Sequence, residues 1–343
     1  MAKYSFKNDY SQGAHLAILD VLYRTNLDQE EGYGKDGFCD KAIKEIRKKI
    51  ENHNADIHFV SGGTQANLIV ISSILKPYES IISANTGHIA IHEAGAIEST
   101  GHKINTIHSE NGKLNPHIIK PVLDFHEDEH MVKPKAVFIS NSTEIGTIYT
   151  KQELEELSVF CRKNNLYLYL DGARLGSALT SEYNNLTISE LSRLVDVFYI
   201  GGTKNGALLG EAIVIINARL KENFRFYLKQ KGALLAKGRI LGIQFLELFK
   251  NELFFEFAKH ANLMASKLAN GIKKLGYDFL ADPVSNQIFP IFPNELIEKL
   301  GTKYEFYVWK KIDYNKSVIR LITSWATKEE LVDKFISDLQ IFF

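Results

Sequence analysis

Three short segments, each placed directly after an apolar run, carry residue types able to do chemistry. In Tyr199-Ile-Gly-Gly-Thr-Lys204-Asn-Gly-Ala207 a single lysine stands among glycines and apolar residues. A lysine in a confined, partly desolvated site has a lowered pKa and can form a Schiff base with a carbonyl. A lysine that merely crosses a loop is the plainer reading. In Tyr167-Leu-Tyr-Leu-Asp171-Gly-Ala-Arg174 a carboxylate ends an apolar strand pattern, where open α/β sheets put ligand-contacting groups. A helix-capping aspartate would look the same. In Ser61-Gly62-Gly63-Thr64-Gln65-Ala66-Asn67 a glycine pair opens a helix. Glycine lets an anion approach the backbone, and the helix start supplies unpaired N–H groups and a positive dipole end, so a phosphate fits there. A tight turn without a ligand fits as well.

Taken together the three segments are more specific than any one of them. An anion cradle, a strand-end carboxylate and a strand-end amine are what pyridoxal phosphate demands: a phosphate site, a partner for the pyridinium nitrogen and a nucleophile for the aldehyde. Asp171 would keep the ring nitrogen protonated, so that the ring can accept electrons from a substrate carbanion.

Such groups need a scaffold that brings strand ends together, and the sequence describes one. From about residue 56, short β-branched runs alternate with longer amphipathic stretches, the pattern of a mainly parallel sheet covered by helices. The expected strands are Ile57–Val60, Ile81–Ser83, Ile104–Ile107, Ala136–Ser140, Tyr167–Leu170, Val195–Ile200 and Ala212–Ile216. Several are apolar on both faces, as buried parallel strands are. A helix is expected from Gln65 to Leu75, stopped by Pro77, and another at the capping box Thr150-Lys-Gln-Glu153. After Ile216 the pattern changes. One long helix is expected over Lys237 to Leu275, then short strands (Ile288–Ile291, Tyr304–Val308, Val318–Ile322) and a terminal helix capped at Thr327-Lys-Glu-Glu330. This predicts an α/β large domain over 1–236 and, over 237–343, a linking helix with a smaller α+β domain.

Composition bounds the partners. The 343 residues hold 41 basic and 41 acidic side chains, a net charge of +0, with no basic stripe or polybasic cluster for nucleic acid or a membrane surface. With 45% hydrophobic and 24% charged residues, the chain is that of an ordinary globular protein with a large core. The opening Met-Ala-Lys-Tyr-Ser-Phe-Lys-Asn-Asp-Tyr is too polar for a signal peptide, so the expected location is the cytoplasm. Cys39 and Cys161 have no partner spacing and read as buried free thiols, with no metal site expected.

The motif set resembles the low-specificity threonine aldolases of the β-eliminating lyase group, pyridoxal-phosphate enzymes of the aspartate-aminotransferase fold (fold type I). The matching segments are Gly62-Gly-Thr-Gln-Ala-Asn67, His88 with Glu93-Ala-Gly95, Asp171-Gly-Ala-Arg174, Lys204 and Arg320-Leu-Ile-Thr323, with weaker echoes at Lys7-Asn8-Asp9 and Tyr33-Gly34. The resemblance covers nearly the whole chain in order. It implies that Lys204 carries the cofactor covalently, that the Gly63 and Thr64 amides bind its phosphate, that His88 stacks on the ring and that Asp171 pairs with the ring nitrogen. Arg174 and Arg320, with Asn8 where the family commonly has serine, would hold the carboxylate of a small amino-acid substrate. Two departures stand out. Glu144 occupies the place where many members have a histidine near the substrate hydroxyl, and Ser324-Trp325 follow Arg320 where histidine is common, so that Trp325 is expected to narrow the pocket. The implied activity is cleavage of a β-hydroxy-α-amino acid to glycine and an aldehyde by a homodimer or homotetramer. β-Elimination, racemisation and transamination use the same cofactor and stay open, as does a non-catalytic binding protein on this fold. Lys237 and Arg239 read either as a solvated helix face or as groups reaching a neighbouring subunit's phosphate.

Overall fold

The computed structural model describes residues 3–342. At its centre lies a seven-stranded sheet built from β1 (Asp56–Val60), β2 (Glu79–Ala84), β3 (Ile104–Ile107), β4 (Lys133–Ser140), β5 (Tyr167–Asp171), β6 (Val197–Gly201) and β7 (Glu211–Ile215). The strand order is β1-β7-β6-β5-β4-β2-β3. Only β7 runs antiparallel to its neighbours, and the other pairs are parallel. All seven expected strands are present, and the fold is α/β with a mainly parallel sheet. The two-sided apolar pattern has a direct counterpart in packing. Phe138, Tyr169 and Tyr199 enter one buried cluster, while the next residues along each strand, Ile139, Leu170 and Ile200, enter the cluster on the opposite face.

Among the covering helices are α1 (Gly37–Lys49), α2 (Gly63–Ile74), the single turn α3 (His88–Ile91) and α4 (Lys151–Lys163). The capping box forms as expected: Thr150 Oγ1 accepts from the Glu153 amide and Glu153 accepts from the Thr150 amide. The long helical pattern from Lys237 is two helices, α5 (Arg239–Lys250) and α6 (Leu253–Lys274), broken where Glu252 adopts a left-handed φ of 61°. The break serves aromatic packing. It lets Phe249 stack on Phe254 at 5.0 Å and meet Phe255 edge-on at 6.4 Å, pairs five and six positions apart that a continuous helix, whose neighbours are three and four apart, would not bring together. Phe245, Leu248, Phe249, Phe254 and Phe257 join the core of the large sheet, whereas Met264, Leu268 and Ile272 join a separate cluster with Phe6, Ile288, Phe292, Ile319, Phe335 and Leu339.

That second cluster underlies a smaller sheet of β8 (Gln287–Ile288), β9 (Ile291–Pro293), β10 (Tyr307–Lys311) and β11 (Lys316–Ile322), with the terminal helix α7 (Glu329–Phe342) packed on it. The expected strand Ile288–Ile291 is interrupted at Phe289-Pro290, because proline has no N–H to give to a ladder. Thr327 does not cap the last helix; its hydroxyl accepts from the Ser324 amide at 2.8 Å in the preceding turn. The first residues are tied into this part of the molecule. Tyr4–Ser5 pair in parallel with Tyr304–Glu305, and Ile322 N donates to Phe6 O at 2.9 Å. Among the described residues no helix is long and apolar enough to cross a membrane.

The sheet positions chemistry by its ends. Ser61, His88, Glu144, Asp171 and Lys204 all lie at or just beyond the C-terminal ends of β1, β2, β4, β5 and β6, and the register sets Ser140 beside Asp171. β5 and β6 approach closely there, with Gly201 N donating to Gly172 O at 3.0 Å. A Cβ on Gly172 would fall 1.8 Å from the Tyr199 carbonyl oxygen. Backbone cannot yield as a flexible side chain would, so Gly172→Ala should cost about 4 kcal/mol or more, read as loss of soluble protein or a drop in Tm of several degrees.

Candidate active site

Asp171 ends β5 almost fully buried, at 4% exposure, and its oxygens are met by groups from three elements. Tyr199 OH donates to Oδ1 at 2.5 Å, the Ala173 amide donates to Oδ1 at 3.0 Å, and Asn67 Nδ2 donates to Oδ2 at 3.2 Å. Asn67 is itself oriented from behind, since Tyr169 OH donates to its Oδ1 at 2.7 Å and its Nδ2 also reaches Glu93 Oε1 at 2.6 Å. Burial, then the charge of Asp171, pushes both tyrosine hydroxyls well above their usual pKa, so each stays protonated and can only help the carboxylate as a donor. Glu93 extends the chain of contacts by accepting from His88 Nδ1 at 2.8 Å. Burial alone would lower the His88 pKa, but the Glu93 hydrogen bond and the Asp171 charge hold it above the ordinary value.

On the far side of the strand ends, Glu144 Oε1 accepts from the His88 amide at 2.9 Å and from Ser140 Oγ at 2.7 Å. Burial raises its pKa and Asp171 adds to the rise, against the lowering by the Ser140 hydroxyl, its own backbone N–H and the charge of His88. Lys204 forms no ion pair among the described residues. Burial lowers its pKa, the neighbouring Arg174 charge lowers it further, and Asp9, Asp171 and Glu211 offset only part. Glu211, whose Oε2 accepts from the Gly202 amide at 3.0 Å, is pushed up to about 8 by burial and is therefore largely protonated at neutral pH.

A cavity of about 470 Å³ gathers Lys204, His88, Glu144, Arg174 and Arg320, and Tyr10, His92, Gln287, Tyr307, Val308 and Trp309 complete its wall. Arg174 is engaged from behind by Asp9, with Nε to Oδ2 at 2.7 Å and Nη2 to Oδ1 at 3.0 Å, and Asn286 Nδ2 donates to the same carboxylate at 3.0 Å. Asn8 does not join the wall. Its Oδ1 accepts from the Tyr10 amide and Ser11 Oγ and so shapes the turn that presents Asp9 and Tyr10. Gly63 and Thr64 open α2, where no side chain caps the helix and the first helical bond runs from Ala66 N to Gly62 O. Gly63 packs against Tyr199, since a Cβ there would lie 3.0 Å from the hydroxyl, which sets this uncapped helix start beside Asp171.

Trp325 is placed elsewhere than the sequence suggests. It packs against His15 and Phe257, each at 5.7 Å, and the aromatic wall is supplied by Tyr307 and Trp309. Arg239 is bound within its own chain, to the carbonyls of Asp28 and Thr25. Asp9, Glu93, Tyr199, Glu211, His92, Tyr307 and Trp309 were not singled out by sequence reasoning. Asp9, Glu93 and Tyr199 stood inside quoted motifs; the rest gave no local signal.

The β-eliminating lyase family model matches residues 10–292. The chain belongs to this family. As a β-eliminating lyase it is 32% identical to the low specificity L-threonine aldolase of a Pseudomonas species over 98% of this chain and 96% of the relative. The structure of a Leishmania major threonine aldolase superposes with a TM-score of 0.97 at 48% identity, covering 98% of this chain and 99% of that one. An aspartate aminotransferase of Thermus thermophilus, at 14% identity and a TM-score of 0.72 over 99% of this chain and 92% of that one, shares the fold alone. β-Eliminating lyases of this kind depend on pyridoxal phosphate, and the donor set here suits that group: an uncapped helix start for an anion, a buried carboxylate held by three hydrogen bonds, and an amine free of ion pairs.

The Asp9–Arg174 pair gives the first test of the site's electrostatics. Burial raises the Asp9 pKa, but the charges of Arg174 and Lys204 outweigh it and hold the carboxyl below its ordinary 3.8. Its stabilisation is therefore complete above that ordinary value and is lost as pH falls through the lower folded value. Asp9→Asn should cost about 3 kcal/mol near neutrality by leaving Arg174 uncompensated. The Tm gap between wild type and variant, followed from pH 7 to pH 3, should narrow only at the acid end.

Proposed function

We propose that the protein cleaves a β-hydroxy-α-amino acid of the threonine or allo-threonine type to glycine and an aldehyde, with pyridoxal phosphate carried covalently on Lys204. The observation that carries this reading is the single cavity holding Lys204, His88, Glu144, Arg174 and Arg320 together at the strand ends. Bound there, the cofactor would supply an electron sink for the Cα–Cβ bond that is to break. The Gly63 and Thr64 amides and the dipole of α2 hold its phosphate. Asp171, fixed by Tyr199, Asn67 and Ala173, would keep a proton on the ring nitrogen, and His88, held by Glu93, would pack against the ring.

Arg320 and the N–H groups of Arg174 not used by Asp9 bind the substrate carboxylate. Glu144 accepts the proton of the β-hydroxyl. An ordinary carboxylate is too weak a base to exchange protons readily near neutrality, and the raised pKa of Glu144 brings it closer to the working range. We also read the enzyme as a cytoplasmic homodimer or homotetramer. Leu16, Leu19 and Tyr23, on one face of the helix Leu16–Arg24, are 76%, 40% and 84% exposed, a surface that a second copy would cover. Sedimentation of the loaded protein should accordingly give at least twice the mass of one chain.

Incubation with L-threonine or L-allo-threonine should release acetaldehyde and glycine, whereas ammonia and a keto acid without acetaldehyde would replace this reading by elimination or transamination. Lys204→Ala should lose the visible absorption of the lysine-linked cofactor. Glu144→Gln should lower kcat by about 10²-fold or more. Because the base must be deprotonated, wild-type kcat should rise with pH through the Glu144 pKa, and that acid limb should be absent from the glutamine variant.

A further inference from the structure

Two arginines face the cavity, and they are held in opposite ways. Arg174 is gripped in plane by the Asp9 carboxylate. The Arg320 side chain makes no hydrogen bond or ion pair among the described residues, and its Nε is buried without a partner. Its guanidinium instead lies over two rings, with Cζ 5.2 Å from the Tyr307 centroid and 5.0 Å from that of Trp309.

A local irregularity of the small sheet builds this arrangement. Tyr307 stands directly opposite Arg320 across the antiparallel pair of β10 and β11, and Val308 opposite Ile319. The register then slips, so that Lys310 faces Val318 and Trp309 has no partner of its own. A bulge of this kind bends the strand and re-aims the extra side chain. Here it accompanies the approach of the Trp309 ring to within 5.0 Å of the guanidinium carbon. Trp309 is braced behind by the buried Phe289, edge-on at 5.4 Å. Tyr307 is the weaker of the two rings, being 45% exposed and shared with Lys7 Nζ at 5.8 Å.

We propose that Trp309, assisted by Tyr307, is a positioning residue that holds Arg320 by its faces and so leaves the guanidinium N–H donors free for the carboxylate of the amino-acid substrate. A carboxylate partner in place of the rings would occupy the same in-plane donors that the substrate needs and would cancel the charge that attracts it. Aromatic faces orient a guanidinium without using those donors, and indole does so best among the side chains. This proposal rests on the reading of the ligand as an α-amino acid, and the test keeps the two apart.

The full-length, cofactor-loaded protein is titrated with glycine and with methylamine, which has the amine but no carboxylate, and binding is followed by the visible spectrum of the cofactor. Trp309→Ala should raise the Kd for glycine and the KM for threonine about three- to tenfold, with kcat falling far less. Methylamine binding should be unchanged, and Trp309→Phe should restore most of the loss. An unchanged glycine Kd in Trp309→Ala would overturn the proposal. So would an equal weakening of glycine and methylamine, which marks general damage to the cavity, or a phenylalanine variant no better than alanine. If wild type cleaves no threonine yet glycine binding still depends selectively on Trp309, the bracket stands and the aldolase reading falls.

Discussion

The buried carboxylate of Asp171 imposes the main constraint on this structure. A charge removed from water at the end of a central strand is tolerated only if its oxygens are saturated by donors that cannot themselves drift. Tyr199 comes from the neighbouring strand, Asn67 from the helix after the first strand, and Ala173 from the turn after Asp171 itself. For these three to converge, β5 and β6 must almost touch just beyond Asp171, which removes every side-chain atom from Gly172 and Gly201. Asn67 in turn fixes Glu93, which fixes His88, whose amide supports Glu144. Five strand ends are thus coupled through one anion, and the cavity inherits its shape from that coupling.

Cations are handled with equal economy. Arg174 is neutralised by a buried partner and becomes part of the wall, Lys204 is left without an ion pair and loses basicity, and Arg320 keeps its charge while aromatic faces limit its freedom. The neutral total charge of the chain therefore conceals a local division of labour among three cations set in one cavity of about 470 Å³.

The parts legible in the sequence are those governed by local pattern. Two-sided apolar runs mark the seven strands, Gly62-Gly63 marks an uncapped helix start, and Asp171 and Lys204 stand out because polar groups at the ends of such runs need a reason. What stayed hidden depends on groups far apart in the chain. Glu252 breaks a continuous helical pattern because three phenylalanines gain by packing together, and no propensity rule announces that. Asp9 was passed over for its neighbour Asn8, since the difference between them is which one meets Arg174, a contact spanning 165 positions. Trp309 was missed and Trp325 favoured, because a bulge in a short edge strand re-aims a side chain without a sequence signature. The change of character at residue 237 is a change of secondary-structure pattern, whereas apolar packing changes hands later, between Phe257 and Met264 within α6.

The position of Asp9 bears on how the molecule comes into being. This residue meets Arg174 at a separation of 165 residues and Asn286 at a separation of 277, and Phe6 accepts from Ile322. During synthesis Asp9 must therefore wait solvated, and Phe6 uncovered, until residues as late as Asn286 and Ile322 have left the ribosome. Closing so long a loop is entropically demanding and therefore late. The large sheet can form first, but the wall that Arg174 completes is set only when Asp9 meets Arg174 and Asn286, so that a newly made molecule acquires its shape well before its competence.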